Sequence, residues 1–212
     1  MTISVDMGKI IFLNGTSSSG KTTLSRALQG QLKDPYLYFA LDQYRDSLPG
    51  KYRGLNSPEG TTGKEGLNVV PVLSKNGKTL ASIEFGDYGK KVLRGMRQAA
   101  ATLARGGLNL IIDDIIFDRE CLEDYLDSLI GIQVYFIGLF CPLKTLEERE
   151  SSRLGRFPGT AESQYHACHA HEKYDLKIDT SVISVEESAK KIISLIEFND
   201  PSAFDELRNH TS

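Results

Sequence analysis

The sequence predicts an α/β fold, a parallel sheet with helices on both faces. Short apolar runs recur along the 212 residues and alternate with helical patterns. Runs such as Val134-Tyr135-Phe136-Ile137-Gly138-Leu139-Phe140 are apolar at consecutive positions, as strands buried on two faces must be. The first run leads through a Gly/Ser-rich turn straight into a helix.

Taken in order, the apolar runs give strands at Ile10–Leu13, Tyr36–Leu41, Leu108–Ile112 and Val134–Phe140, with a weaker one at Leu176–Ile178. Helical patterns fill the spaces between them, near 21–33, 42–48, 87–105, 118–130, 143–153, 161–171 and 185–198. One region breaks the alternation. Residues 50–66 are rich in Gly, Ser, Thr and Lys, and Val69–Leu73 and Thr79–Phe85 then flank Lys75-Asn76-Gly77-Lys78. Asn-Gly between apolar runs signals a hairpin, because a type I′ turn needs positive φ at both central residues. A loop and hairpin, about 50–86, are therefore inserted between the second and third core strands. Such an excursion either shapes a ligand site or decorates the surface. Residues 199–212 are polar, contain Pro201, and read as a loosely attached tail beyond a single domain of 1–198.

Composition narrows the function. A formal net charge of -3 gives no basic surface for nucleic acid. Cys121, Cys141 and Cys168 are odd in number and widely spaced, without a metal or redox pattern, which fits a reducing cytoplasm. Met1 to Gly8 contains Asp6 and no apolar stretch, so it does not read as a signal peptide. No run approaches the roughly 20 apolar residues of a membrane helix.

The turn after the first strand carries the most information. Gly15-Thr16-Ser17-Ser18-Ser19-Gly20-Lys21-Thr22 is a complete G-x-x-x-x-G-K-T phosphate-binding loop, followed by Thr23 in the helix opening. Loop amides and the helix dipole favour phosphate there, Lys21 reaches the β- and γ-phosphates, and the Thr22 hydroxyl ligates Mg²⁺. The fold expected is then a P-loop NTPase three-layer sandwich with a five-stranded parallel core.

Other residues supply chemistry around that loop. Asp113-Asp114 end the third core strand, where a carboxylate can hold Mg²⁺. The alternative is that they only cap a helix. Neighbours on a strand point to opposite faces, so which of the two faces the metal stays open; Asp113 is favoured for it, and Asp114 is then free to meet the acceptor substrate. Asp42 ends the second strand and is either a base for an attacking hydroxyl or a helix cap. Arg149, Arg153 and Arg156 lead into a Gly-containing loop, about 153–162, that reads as a lid closing over a phosphoryl group. On a solvated face, Glu147, Glu148 and Glu150 would instead neutralise these arginines. His166, His169 and His171 do not share one helical face, and Cys168 neighbours rather than opposes them, so a zinc site is not expected.

In order along residues 9 to 180, these motifs resemble the chloramphenicol phosphotransferase family. The likeness rests on Leu13 to Thr22, Ala40-Leu41-Asp42, Ile111 to Asp114, Glu148 through Arg153 and Arg156 to Gly159, and Tyr174 to Thr180. It implies a P-loop kinase that moves the ATP γ-phosphoryl group to a small-molecule hydroxyl, with Asp42 as general base and Arg149, Arg153 and Arg156 on the lid. Thr16 and Ser19 replace smaller residues of the family loop. The stretch Pro49 to Asn68 is longer than in the family, which leaves chloramphenicol itself open as the acceptor. The rivals are a nucleoside, nucleotide or sugar-nucleotide kinase, and a nucleotide switch protein; no Asn-Lys-x-Asp motif supports a GTPase switch.

Overall fold

The structure, a computed structural model, describes residues 6–74, 76–153 and 157–211. Five parallel strands form the core sheet: β1 (Ile10–Asn14), β2 (Tyr36–Ala40), β6 (Asn109–Asp114), β7 (Val134–Phe140) and β8 (Leu176–Asp179). Their spatial order is β2-β6-β1-β7-β8, which puts β1 at the centre. A smaller sheet holds β3 (Arg53–Leu55), β4 (Leu67–Leu73) and β5 (Thr79–Phe85). There β3 runs parallel to β4, and β4 and β5 form the antiparallel hairpin that Asn76-Gly77 signalled, with Gly77 at φ +75°.

Side-chain parity sorts the core strands into two layers, because successive residues face opposite ways. On one face Ile10, Phe12, Leu110, Ile112, Val134 and Phe136 pack under α4 (Asp87–Arg105), α5 (Arg119–Ser128) and α9 (Ala203–Thr211). On the other, Ile11, Leu13, Ile111, Tyr135, Ile137 and Leu139 meet α1 (Lys21–Gln31) and α8 (Val185–Phe198). Shorter helices punctuate the loops: α2 (Leu41–Ser47), α3 (Thr62–Glu65), α6 (Leu143–Ser151) and α7 (Thr160–Gln164). No helix among the described residues is long and apolar enough to cross a membrane.

Three segments differ from the sequence expectation. The run ending at Ile112 continues as strand through Asp113 and Asp114, because both still pair with Leu13 and Asn14 of β1. The helix expected over 161–171 stops at Gln164 and resumes only as a 3₁₀ turn at Ala167–His169. The Cys168 carbonyl there accepts a hydrogen bond from Asn14 Nδ2 at 2.7 Å, a tertiary contact that outweighs local helix propensity.

The C-terminal segment is not a loose tail. It folds as α9, whose Ala203, Phe204 and Leu207 are buried against β1 and β7. The Phe204 ring lies 5.1 Å from that of Phe136 and 6.1 Å from that of Phe12. Asp175 Oδ1 accepts from the amides of Ser202 and Ala203 and so closes the start of the helix. Three apolar residues among polar ones give too weak a periodic signal to read from the sequence, and the cap comes from a residue 28 positions away. Phe204→Ala is expected to cost about 3–5 kcal/mol in urea unfolding, as for other buried aromatic truncations. A loss below about 1 kcal/mol would show that α9 is not part of the core.

Candidate active site

The loop 15–22 sits at the C-terminal end of β1 and opens α1. Gly20 adopts φ +96°, which favours glycine, and Ser18 accepts φ +64° to finish the turn. A β-carbon on Gly15 would lie 2.9 Å from the Leu139 carbonyl oxygen, so the loop can seat against β7 only with glycine there. No acidic residue occupies the first turn of α1. The hydroxyls of Ser17, Ser18 and Ser19 are buried without a hydrogen-bond partner. Three unsatisfied hydroxyls around a helix N-terminus suit a polyanion. Lys21 Nζ donates to the carbonyls of Gly15 (2.7 Å) and Thr16 (2.9 Å), which bends its side chain back over the loop.

Parity sends the two aspartates to opposite faces of the sheet. Asp113 shares the face of Ile111 and Leu13, toward α1. Its Oδ2 accepts from the Thr22 hydroxyl at 2.7 Å and from the Tyr38 hydroxyl at 2.8 Å, and its Oδ1 lies 4.0 Å from Lys21 Nζ. Burial, then the Asp113 charge, pushes the Tyr38 phenol up to about 12, so it remains a donor. Asp114 points to the opposite face. Its Oδ2 accepts from the Tyr125 hydroxyl and its Oδ1 from the Ile115 amide. Burial raises its pKa to about 6, against the opposing pull of those two hydrogen bonds and of Arg97. Both oxygens are thus engaged in fixing the turn after β6. Asp114 nonetheless lines the same cavity as Asp113 and Asp42.

Asp42 lies in the first turn of α2, and Arg45 Nη1 donates to its Oδ1 at 2.8 Å. The helix start is closed instead by Gln43, whose Oε1 accepts from the Ala40 amide. The capping alternative for Asp42 therefore falls away. Asp42 and the loop line one cavity of about 500 Å³. One wall of that cavity is apolar: Leu67, Ile83 and Phe85 from the inserted hairpin, with Leu41, Ile115 and Phe117. The insert shapes the site rather than decorating the surface.

On the lid side, Arg149 and Arg153 both line the cavity. Arg149 is anchored by Thr180, donating to its hydroxyl (3.1 Å) and its carbonyl (2.7 Å). Thr180 in turn donates to the Ser19 carbonyl at 2.9 Å, so Arg149 and the loop share an anchor. Arg156 lies outside the described residues. Among the described residues, two of the three glutamates have other partners than these arginines. Glu147 pairs with Lys78 of the hairpin, and buried Glu150 accepts from the amides of Gly159 and Ala161 at the start of α7.

A family model supplies the remaining observation. Residues 8–197 match the family described as chloramphenicol phosphotransferase-like protein. The chain belongs to that family. A protein of Mycobacterium tuberculosis named "Putative O-phosphotransferase" is 29% identical over 204 residues, covering 95% of this chain and 88% of its own. Among solved structures, a sugar kinase from Janibacter superposes with a TM-score of 0.58 at 18% identity, covering 90% of this chain and 95% of its own. An APS kinase of Mycobacterium tuberculosis, in complex with AMPPNP and APS, gives 0.55 at 20%, covering 91% and 99%. The fold of this phosphotransferase is that of the P-loop kinases, as its loop and strand order led one to expect.

Residues to which the sequence reading gave no role at the site adjoin those it predicted in this family member. Tyr38, Arg45, Thr180 and Gln164 each touch a predicted site residue, yet only the three-dimensional register puts them there. Two of the three histidines pack against aromatic rings. The Phe140 and His169 rings stack at 4.0 Å, and those of Phe136 and His171 at 5.1 Å. The Tyr174 hydroxyl accepts from Asn14 Nδ2 and shares a 2.6 Å hydrogen bond with His169 Nδ1. Burial lowers both His169 and His171 to about 4. Because the folded values lie below 6.5, the unfolded chain takes up these protons first. The stability they contribute is present above pH 6.5 and lost as pH falls toward 4. His171→Phe is therefore expected to flatten part of the decline in urea midpoint across that window. An unchanged slope would show that His171 does not titrate with unfolding.

Proposed function

We propose that the protein transfers the γ-phosphoryl group of ATP to a hydroxyl on a small molecule with an apolar body. The observation that carries this reading is a single cavity with two unlike ends. One end is a phosphate loop with three unsatisfied hydroxyls and the Thr22–Asp113 contact; the other is Asp42 against an apolar wall. The sheet order supports the division of labour. The loop follows central β1, Asp42 follows edge strand β2, and Thr180, Ile183 and Val185 follow edge strand β8. Ligands of open α/β sheets gather at the C-terminal strand ends, so acceptor and nucleoside flank the phosphates on opposite sides.

Each residue then has a task. The loop amides and Lys21 hold the β- and γ-phosphates. Thr22 and Asp113 offer hard oxygen donors that suit Mg²⁺, which when bound neutralises charge on those phosphates. Asp42, steadied by Arg45, takes the proton from the acceptor hydroxyl as its oxygen attacks the γ-phosphorus. The bond from that phosphorus to the β–γ bridging oxygen breaks, and ADP leaves. Arg149 and Arg153 meet charge that develops on the equatorial oxygens, and Arg156 takes the same role from the lid. The acceptor contacts are read from Leu41, Ile83, Phe85 and Phe117, which favour a flat or branched apolar body over a sugar ring.

Asp42→Asn is expected to bind an ATP analogue normally and to lose about 10²–10⁴-fold in turnover. Lys21→Ala is expected to lose transfer altogether. The measurement is acceptor-dependent release of ADP across a panel of apolar alcohols. Near-normal turnover of the Asp42 variant with its acceptor would remove the base assignment. Failure of every alcohol to raise ADP release above background would remove the transfer itself.

A further inference from the structure

Gln164 is the last residue of α7 and is 6% exposed, yet no feature of the sequence marked it. Its Oε1 accepts from the Ser17 amide of the phosphate loop at 2.8 Å, across 147 residues of sequence. Its Nε2 is buried and has no hydrogen-bond partner, and its side chain lines the cavity beside Lys21 and Thr22. A buried carboxamide donor without an acceptor carries a desolvation cost unless a ligand completes it.

The position of Gln164 does not depend on nucleotide. Ser163 Oγ donates to the Ala81 carbonyl of β5 at 2.8 Å, and Glu150 closes the start of α7. The short helix is therefore held from both ends before any phosphate arrives. Its terminal carboxamide grips the loop with one atom and presents the other to the cavity.

We infer that Gln164 is a nucleotide-binding residue whose Nε2 donates to a phosphate oxygen of ATP while Oε1 holds the Ser17 end of the loop. This rests on the nucleotide seat proposed above and assigns to α7 a role that loop and lid arginines do not cover. The alternative role for the same side chain is a placeholder, its oxygen standing in for a phosphate oxygen on the Ser17 amide until ATP displaces it. The two roles predict opposite changes in affinity.

The test is calorimetric titration of the Mg²⁺ complex of a non-hydrolysable ATP analogue, with no acceptor present. Gln164→Ala and Gln164→Leu are expected to weaken binding about tenfold, the range for a hydrogen bond to a charged partner. Gln164→Glu keeps an acceptor for the Ser17 amide but turns a carboxylate toward the triphosphate, so it should weaken binding further, by about a hundredfold. A residue that merely ordered the loop would be better served by Glu than by Ala, so the order of the variants separates binding from structure. Unchanged or tighter binding by the Ala and Leu variants, or a Glu variant no weaker than Ala, overturns the inference and leaves the proposed function standing. A wild-type protein that does not bind the analogue overturns both.

Discussion

The placement of β1 governs the site. It is the central strand, fully buried, paired in parallel on both sides, and every second side chain on it belongs to a different layer. A parallel pair admits no half-residue freedom: slipping β6 by one position would turn its whole set of side chains over. That constraint puts Asp113 on the α1 face with Thr22 and sends Asp114 to Tyr125 on the other. It also presses the loop so close to β7 that only glycine fits at position 15. The core sheet thus acts as a ruler for the chemistry at its C-terminal ends.

Around that ruler, several buried polar groups are fully paired, while a group of them at the loop is not. Asn14, under the loop, uses its amide and its carbonyl on Cys168, Tyr174 and Ile116. Glu150, a buried carboxylate, has two backbone amides. In contrast, the hydroxyls of Ser17, Ser18 and Ser19 and the amide nitrogen of Gln164 lack partners. The buried atoms without hydrogen bonds concentrate where a triphosphate would lie, which is the pattern of a preformed polyanion seat rather than of a faulty core.

Much of the architecture was legible because it rests on short-range rules. Uninterrupted apolar runs mark two-faced strands, Asn76-Gly77 marks the hairpin, and the loop motif fixes the turn that joins β1 to α1. That Asp113 and Asp114 face opposite ways was also legible, but which of them faces α1 depends on the register of β6 against β1. The features that stayed hidden depend on contacts between distant segments. Gln164 has no local signature, and its meaning lies in Ser17. The helix α9 is too polar to announce itself and needs Asp175 and the underside of β1 and β7 to form. Arg45 reads as an ordinary surface cation until it is found holding Asp42.

The contact between the insert and α7 carries a consequence for the shape of the cavity. Gly159 approaches the Leu80 backbone so closely that a β-carbon would come within 2.9 Å of Leu80 Cα, and Ser163 is bonded to the next carbonyl along. The segment from Gly159 through α7 and the hairpin that lines the cavity are therefore in direct contact, joined by the Ser163 hydroxyl on the Ala81 carbonyl. Both segments also line the cavity that holds the loop 15–22, through Ile83 and Phe85 on one side and Thr160 and Gln164 on the other, so the seating of the hairpin sets the shape of the whole chamber.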